Sequence, residues 1–219
     1  DYPFDKLVTI SILSPDDKAI RLFTWNLQND AGEEDFFGLI ELNPSLTKNK
    51  ANKVIELINQ KGELQKSDNK TFNADKWPGA VYYEVVPVKK GNTTYYTLAG
   101  WRGIDDGLKQ KILDIVYIQS AKAKFGYPLF KMSNRTQRRV IFTFGGMTSM
   151  LLTFDDKNHR FVFEHLAPKN NLVVGNYRFY GPDGVYDSFV LEKKQWIYQS
   201  DIDVRNNKSS RDIFYNSPT

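Results

Sequence analysis

Residues 76–101, KWPGAVYYEVVPVKKGNTTYYTLAGW, decide the fold. Two runs rich in Val, Tyr, Thr and Leu flank the short polar turn Lys89-Lys90-Gly91-Asn92. β-Branched and aromatic side chains suit a pleated, half-buried surface, and Gly-Asn supplies the positive φ angles of a tight turn. Pro78-Gly79 opens the unit, and Gly100, Gly103 and Gly107 punctuate its exit. The pattern predicts a β-hairpin. Strict alternation puts Val81, Tyr83 and Val85 on one face and Tyr82, Val86 and Val88 on the other. Both faces are apolar. The hairpin is therefore expected at the centre of a sheet system covered on both sides, by two stacked sheets or a helix-covered barrel.

Upstream, residues 8–13 and 19–25 are apolar runs joined by the turn Ser14-Pro15-Asp16-Asp17-Lys18, a further hairpin. Residues 36–42 read as a strand that Pro44 stops. The spacing then predicts one α-helix, near 46–61. Ala51, Val54, Ile55 and Ile58 recur at i, i+3, i+4 and i+7, Ser45 or Thr47 can cap its start, and Gly62 stands where a left-handed stop belongs. Lys48 and Lys50 oppose the helix dipole in the first turn. Residues 62–76 are polar and expected to be mobile.

Downstream, residues 111–118 (KILDIVYI) fit a helical stripe as well, but their shortness and β-branched density favour a strand. Residues 119–130 read as loop. Strands are expected at 139–144, 149–154, 160–166, 177–180, 185–192 and 195–200, with a poorly ordered polar tail over 206–219. About eleven short strands at this spacing make an all-β, mainly antiparallel β-sandwich or barrel-like meander with one inserted helix. Residues 1–219 are read as one domain. The similar strand ends Leu98-Ala99-Gly100-Trp101 and Arg178-Phe179-Tyr180-Gly181 keep a small β-propeller as the alternative.

Composition narrows the functions. The chain has no cysteine, which excludes disulfides, thiolate nucleophiles and cysteine metal sites. Thirty basic and 26 acidic residues leave a net charge of +4, with no concentrated basic stripe of the kind nucleic acid requires. No run approaches the ~18 apolar residues of a spanning helix. Two-sided apolar strands shorter than the ~9–11 residues of a spanning strand also argue against an integral outer-membrane barrel.

Several segments together resemble an uncharacterised family of exported proteins common in Bacteroidetes. They are residues 76–83 (KWPGAVYY), the Leu98-Ala99-Gly100-Trp101 strand end, residues 111–116 (KILDIV), residues 163–168 (FEHLAP) and residues 180–187 (YGPDGVYD). The resemblance covers most of the chain, from about Val8 to Arg205. It implies export to the periplasm or cell surface with the signal peptide removed, and it brings no assigned activity and no site residues.

No Gly-x-Ser-x-Gly elbow is present, and two distant histidines without cysteine make a poor zinc set. His159 lies in a charged turn and reads as a solvated residue. His165 ends a strand and reads as a structural histidine, with a general base as the sharper alternative. The carboxylates offer more. Asp105-Asp106 sits in the glycine-rich exit loop, Asp183 and Asp187 bracket a Gly-Pro-Asp-Gly turn, and Asp201 and Asp203 are two apart near a strand end. Such loops hold hard cations, so a bound Ca2+ is the one cofactor they admit; Asp is also simply a good turn former. A polysaccharide hydrolase would take two of these carboxylates in one cleft.

Asp114, inside KILDIVYI, needs a partner if buried, and Arg139 is the expected one. Lys131, Arg135, Arg138 and Arg139 form a local basic cluster suited to phosphate or an acidic glycan, or to solvent. Trp25, Trp77, Trp101 and Trp196, with Tyr82, Tyr83, Tyr95 and Tyr96, are either core or a stacking platform for sugars. Trp77 and Trp101, at loop edges, are the best surface candidates. The sequence thus points to a binding or structural protein of the cell envelope, its partner a carbohydrate or an envelope protein. The ligand candidates are Trp77, Trp101, Asp105, Asp183 and Asp187. A carboxylate-dependent hydrolase is the rival.

Overall fold

A computed structural model describes residues 9–30, 32–48, 50–60, 64, 67–105 and 107–204, the side chain of Asp105 excepted. The expected polar tail over 206–219 and part of the expected mobile segment over 62–76 lie outside the described residues. Among the described residues there are three sheets. The first is a meander of β1 (Ser11–Leu13), β2 (Ile20–Gln28), β3 (Glu34–Leu42) and β4 (Lys53–Ile58), paired in that order. The second contains β5 (Phe72–Asn73), β6 (Val81–Lys90), β7 (Thr93–Asp105), β8 (Leu108–Gln119) and β9 (Lys122–Phe125) in the order 5-9-8-7-6. The third contains β10 (Phe130–Lys131), β11 (Thr136–Gln137), β13 (Leu152–Asp155), β14 (Arg160–Pro168), β15 (Tyr180–Glu192) and β16 (Gln195–Gln199) in the order 11-10-16-15-14-13. Between them in sequence, β12 (Val140–Gly145) joins the second sheet by pairing with β8. Among the described strands, pairing is antiparallel except between β10 and β16; an isolated parallel bridge joins Asn59 and Trp77.

The second sheet is the middle layer, and the strand alternation explains why. On β7, Tyr96 and Leu98 pack into a core with the first sheet, whereas Tyr95 and Ala99 pack into a core with the third. On β8, Ile112 and Val116 face the first core, and Leu113 and Ile115 the second. Ile40, Leu42 and Leu57 close the first core from outside; Phe161, Phe163 and Phe189 close the second. Residues 76–101 thus occupy the two-sided centre that their sequence predicts. The sheets stack around two cores, so among the described residues there is neither a closed barrel nor the propeller of the alternative reading.

The edge of β8 is shared. Leu108–Leu113 pair with β12, and Val116–Gln119 pair with β9. At the seam between these partners the ladder is interrupted, and side chains complete it. Asp114 Oδ1 accepts the Ile115 N–H (2.8 Å). Arg139 Nη2 donates to both Asp114 oxygens (3.1 and 3.0 Å), and Nη1 donates to the carbonyls of Ser67 (2.7 Å) and Lys70 (3.0 Å). Both side chains are fully buried. The expected Asp114–Arg139 partnership holds. It removes Arg139 from the proposed basic cluster.

Four expectations are corrected. The helix near 46–61 is a 3-10 turn at Pro44–Leu46 followed by strand β4. The apolar spacing there serves a period of two: Ile55 and Leu57 turn inward, while Val54 and Ile58 stand outside at 59% and 54% exposure. The open edge of β3 supplies hydrogen-bond partners that outweigh the helical stripe. Second, the faces expected for β6 are regrouped by a bulge between Tyr82 and Glu84. Tyr82 and Val85 belong to the first core, Val86 and Val88 to the second. Third, residues 119–130 include strand β9, and residues 177–180 are mainly a 3-10 turn, Tyr177–Phe179. Fourth, the Gly-Pro-Asp-Gly stretch is a bulge within β15, not a chain reversal.

Candidate functional site

That bulge positions the best candidate site. β14 and β15 pair regularly from Arg160↔Val190 to Glu164↔Tyr186, then resume at Leu166↔Pro182. His165 on one strand faces three residues, 183–185, on the other. Gly184 absorbs the extra length at φ +89°, a conformation that side chains with a Cβ avoid. Asp183 Oδ1 accepts the Val185 N–H (3.1 Å), and its Oδ2 meets His165 Nδ1 (2.8 Å). Partial burial pushes the Asp183 carboxyl up, but the bonds from His165 and Val185 outweigh it and hold the group below the usual carboxylate range.

Beside the bulge lies a cleft of about 260 Å3 between the outer edge of β12 and strands β14, β15 and β16. Its walls are Phe142, Phe163, Tyr177, Tyr180, Phe189 and Tyr198. Phe142 and Phe163 pack with ring centres 4.7 Å apart, and Tyr177 packs on Tyr180 at 4.9 Å. Polar groups interrupt this lining at Thr143, Glu164, His165 and Asp187. Asp187 is directly across the ladder from Phe163 and is 3% exposed. A buried carboxylate needs donors. Asp187 has the Tyr198 hydroxyl (2.8 Å) and the Asp201 N–H (3.0 Å). Burial and the bond to Asp187 push the Tyr198 hydroxyl well above the ordinary tyrosine range. Glu164 accepts the Leu151 N–H (2.7 Å). A second recess, about 480 Å3, lies on the other side of Tyr180, where Thr148, Lys169, Arg178 and Asp183 line it.

The five sequence candidates separate. Asp183 and Asp187 come to one corner of the third sheet, Asp187 in the aromatic cleft and Asp183 in the adjoining recess. Trp77 is corrected: it is 0% exposed, and its indole N–H donates to Tyr82 Oη (3.2 Å). Backbone bonds from Trp77 N to Ile58 O and from Gln60 N to Trp77 O tie this residue to the end of β4, which draws the ring beneath the first sheet. Trp101 is half-buried within β7 and meets Phe36 edge-on at 6.3 Å. Asp105 ends β7, paired with Leu108, and its side chain lies outside the description.

Trp196 and Tyr82 are core residues at 0% exposure, whereas Trp25 stays half-buried on the outer face of the first sheet, stacked on Phe37. Among the described residues, no three of His, Asp and Glu gather closely enough to hold a metal ion. Tyr177, Tyr180 and Tyr198 are the cleft residues that sequence reasoning passed over. Their signal was present as aromatic residues near the ends of the last strands, but the cleft they line is assembled from separate strands and has no local signature. The chain matches no family model, no curated protein and no solved structure.

Proposed function

We propose that the protein is a non-catalytic binding protein of the cell envelope, exported as the resemblance implies, and that the β12–β14–β15 cleft takes a small saccharide ring. One observation carries this reading: a recess of about 260 Å3 walled by six aromatic rings, with carboxylate, hydroxyl and imidazole groups set among them. Sugar rings present an apolar face and a polar rim, and a site of aromatic faces with a few placed polar groups complements both. Binding is favoured over turnover because the carboxylates here are already committed. Asp187 is bonded to Tyr198 and Asp201, Glu164 to Leu151, and Asp183 to His165 and Val185. A glycosidase pair needs two carboxyl groups facing one bond from opposite sides, about 5–10 Å apart.

A panel of mono- and disaccharides tested by thermal shift checks the reading. At least one sugar should raise the Tm, since a ligand at a hundred times its Kd stabilises by about 2.7 kcal/mol. The shift should disappear in Tyr177→Ala and Phe142→Ala. No shift with any sugar, or a shift unchanged in both variants, overturns the assignment. Release of reducing sugar from a polysaccharide would transfer it to the carboxylate hydrolase.

A further inference from the structure

The middle sheet carries a second aromatic site that shares no residue with the cleft. Ladder pairing sets Val88, Tyr95, Tyr117 and Lys124 in one row across β6, β7, β8 and β9. Directly paired residues project from the same face of a sheet, and so do residues two apart on one strand. Lys90 therefore joins this face. The chain after β9 folds Tyr127 back over the row. Tyr95, Tyr117 and Tyr127 are in mutual contact, with ring centres 3.9, 5.3 and 5.7 Å apart. Tyr117 and Tyr127 are only half-buried.

Cations surround these rings. Lys90 Nζ lies 5.8 Å from the centre of the Tyr127 ring. Lys124 pairs directly with Tyr117, and Arg138 is close enough for its charge to act on the Tyr117 hydroxyl. Among the described residues, Lys90, Lys124 and Arg138 form no ion pair with a carboxylate; the ion pairs elsewhere include Arg21–Glu41, Arg139–Asp114, Arg160–Asp155 and His165–Asp183. Asp68, whose backbone carbonyl holds the Arg138 N–H, has its own carboxylate bonded to Gln137. Among the described residues, the shelf is thus aromatic, hydroxyl-bearing and positively charged, its cations unpaired.

We infer that this shelf binds an anionic saccharide, a sugar ring carrying carboxylate or sulfate. The tyrosine faces fit the apolar side of a pyranose, and the free ammonium and guanidinium groups fit its anion. Single-stranded nucleic acid also combines stacking with charge. The geometry disfavours it, because the three rings are tilted against one another by 31–72° and do not form separate platforms for successive bases.

The test uses the full chain with immobilised polygalacturonate, heparin, neutral dextran and a single-stranded oligonucleotide, at low and at 0.5 M salt, roughly the range over which surface charge becomes screened. Binding is expected to polygalacturonate, to heparin, or to both, and not to dextran; because heparin carries carboxylate as well as sulfate, retention on heparin alone identifies sulfate, and retention on polygalacturonate shows that carboxylate suffices. Lys90→Gln with Lys124→Gln should weaken that binding by about tenfold or more, equivalent to about 1.4 kcal/mol. Tyr127→Ala should weaken it as much, which a purely ionic attraction would not produce. If Tyr127→Ala lowers the Tm, Tyr127→Leu keeps an apolar side chain and removes the stacking face. Tyr177→Ala in the cleft should leave it unchanged, so failure here is distinguishable from failure of the cleft. The inference is overturned by equal retention on dextran, by no binding to either acidic polysaccharide, by indifference to both Tyr127 variants, or by tighter binding to the oligonucleotide.

Discussion

Asp114 and Arg139 show how a single misplaced polarity in a sequence forecasts structure. A carboxylate inside an apolar strand must find a counter-charge or give up its own. Here burial pushes its pKa up while the Arg139 guanidinium and the Ile115 N–H pull against it, and the shift remains upward. A buried pair of this kind is weak evidence of net stabilisation, yet breaking it is costly because one charge is stranded. Arg139→Met should therefore destabilise by roughly 3–5 kcal/mol in urea denaturation. Asp114→Leu with Arg139→Met should recover part of that loss. Recovery stays partial, because Arg139 also holds the carbonyls of Ser67 and Lys70. A double variant no more stable than the single one would place the cost in those carbonyl bonds and not in the stranded charge. The pairing was legible because one residue type announces a need. The reason for it, the seam between β9 and β12, depends on strand order and was not.

Among the elements, legibility follows how much of the signal is local. The hairpin at 76–101 combines turn residues and strand formers in one stretch, and the strand expected at 111–118, which runs over Leu108–Gln119, follows from β-branched density. The helix expected near 46–61 failed because Ala51, Val54, Ile55 and Ile58 satisfy the helical period, while the deciding partner, the edge of β3, is supplied by the fold. The β14–β15 bulge failed for a similar reason. Gly-Pro-Asp-Gly has the composition of a turn, but both flanks pair with the same neighbour.

The bulge carries a pH prediction through Asp183. Its folded pKa is depressed, so its stabilising contribution is complete above the unfolded value of about 3.9 and is lost as pH falls through the lower folded value. Asp183→Asn should lower the Tm slightly at pH 6, and the gap should close toward pH 3 and below. A gap that stays constant across that range would show that the carboxylate charge does not hold the bulge. The effect is small because the carboxylate is a third exposed.

At the scale of the molecule, one sheet serves two cores. β7 and β8 send alternate residues into both, so neither outer sheet has a core that it could keep without them. The arrangement also explains where sites are found. The middle layer is committed to packing, and the aromatic cleft and the cationic shelf form where that layer ends and a bulge, a seam or a returning loop leaves rings half-covered. Segments from β12, β14, β15 and β16 must meet before the cleft exists, which is why its lining could not be read in sequence order. Sharing of the middle sheet further predicts a single cooperative unfolding transition. Leu57 in the first sheet and Leu152 in the third are both 3% exposed, in different cores. Leu57→Ala and Leu152→Ala should each cost about 2–5 kcal/mol and each shift the whole transition, with calorimetric and van't Hoff enthalpies remaining equal. If Leu57→Ala instead moves one of two resolved transitions while Leu152→Ala moves the other, the two cores melt independently, and the middle sheet does not couple them.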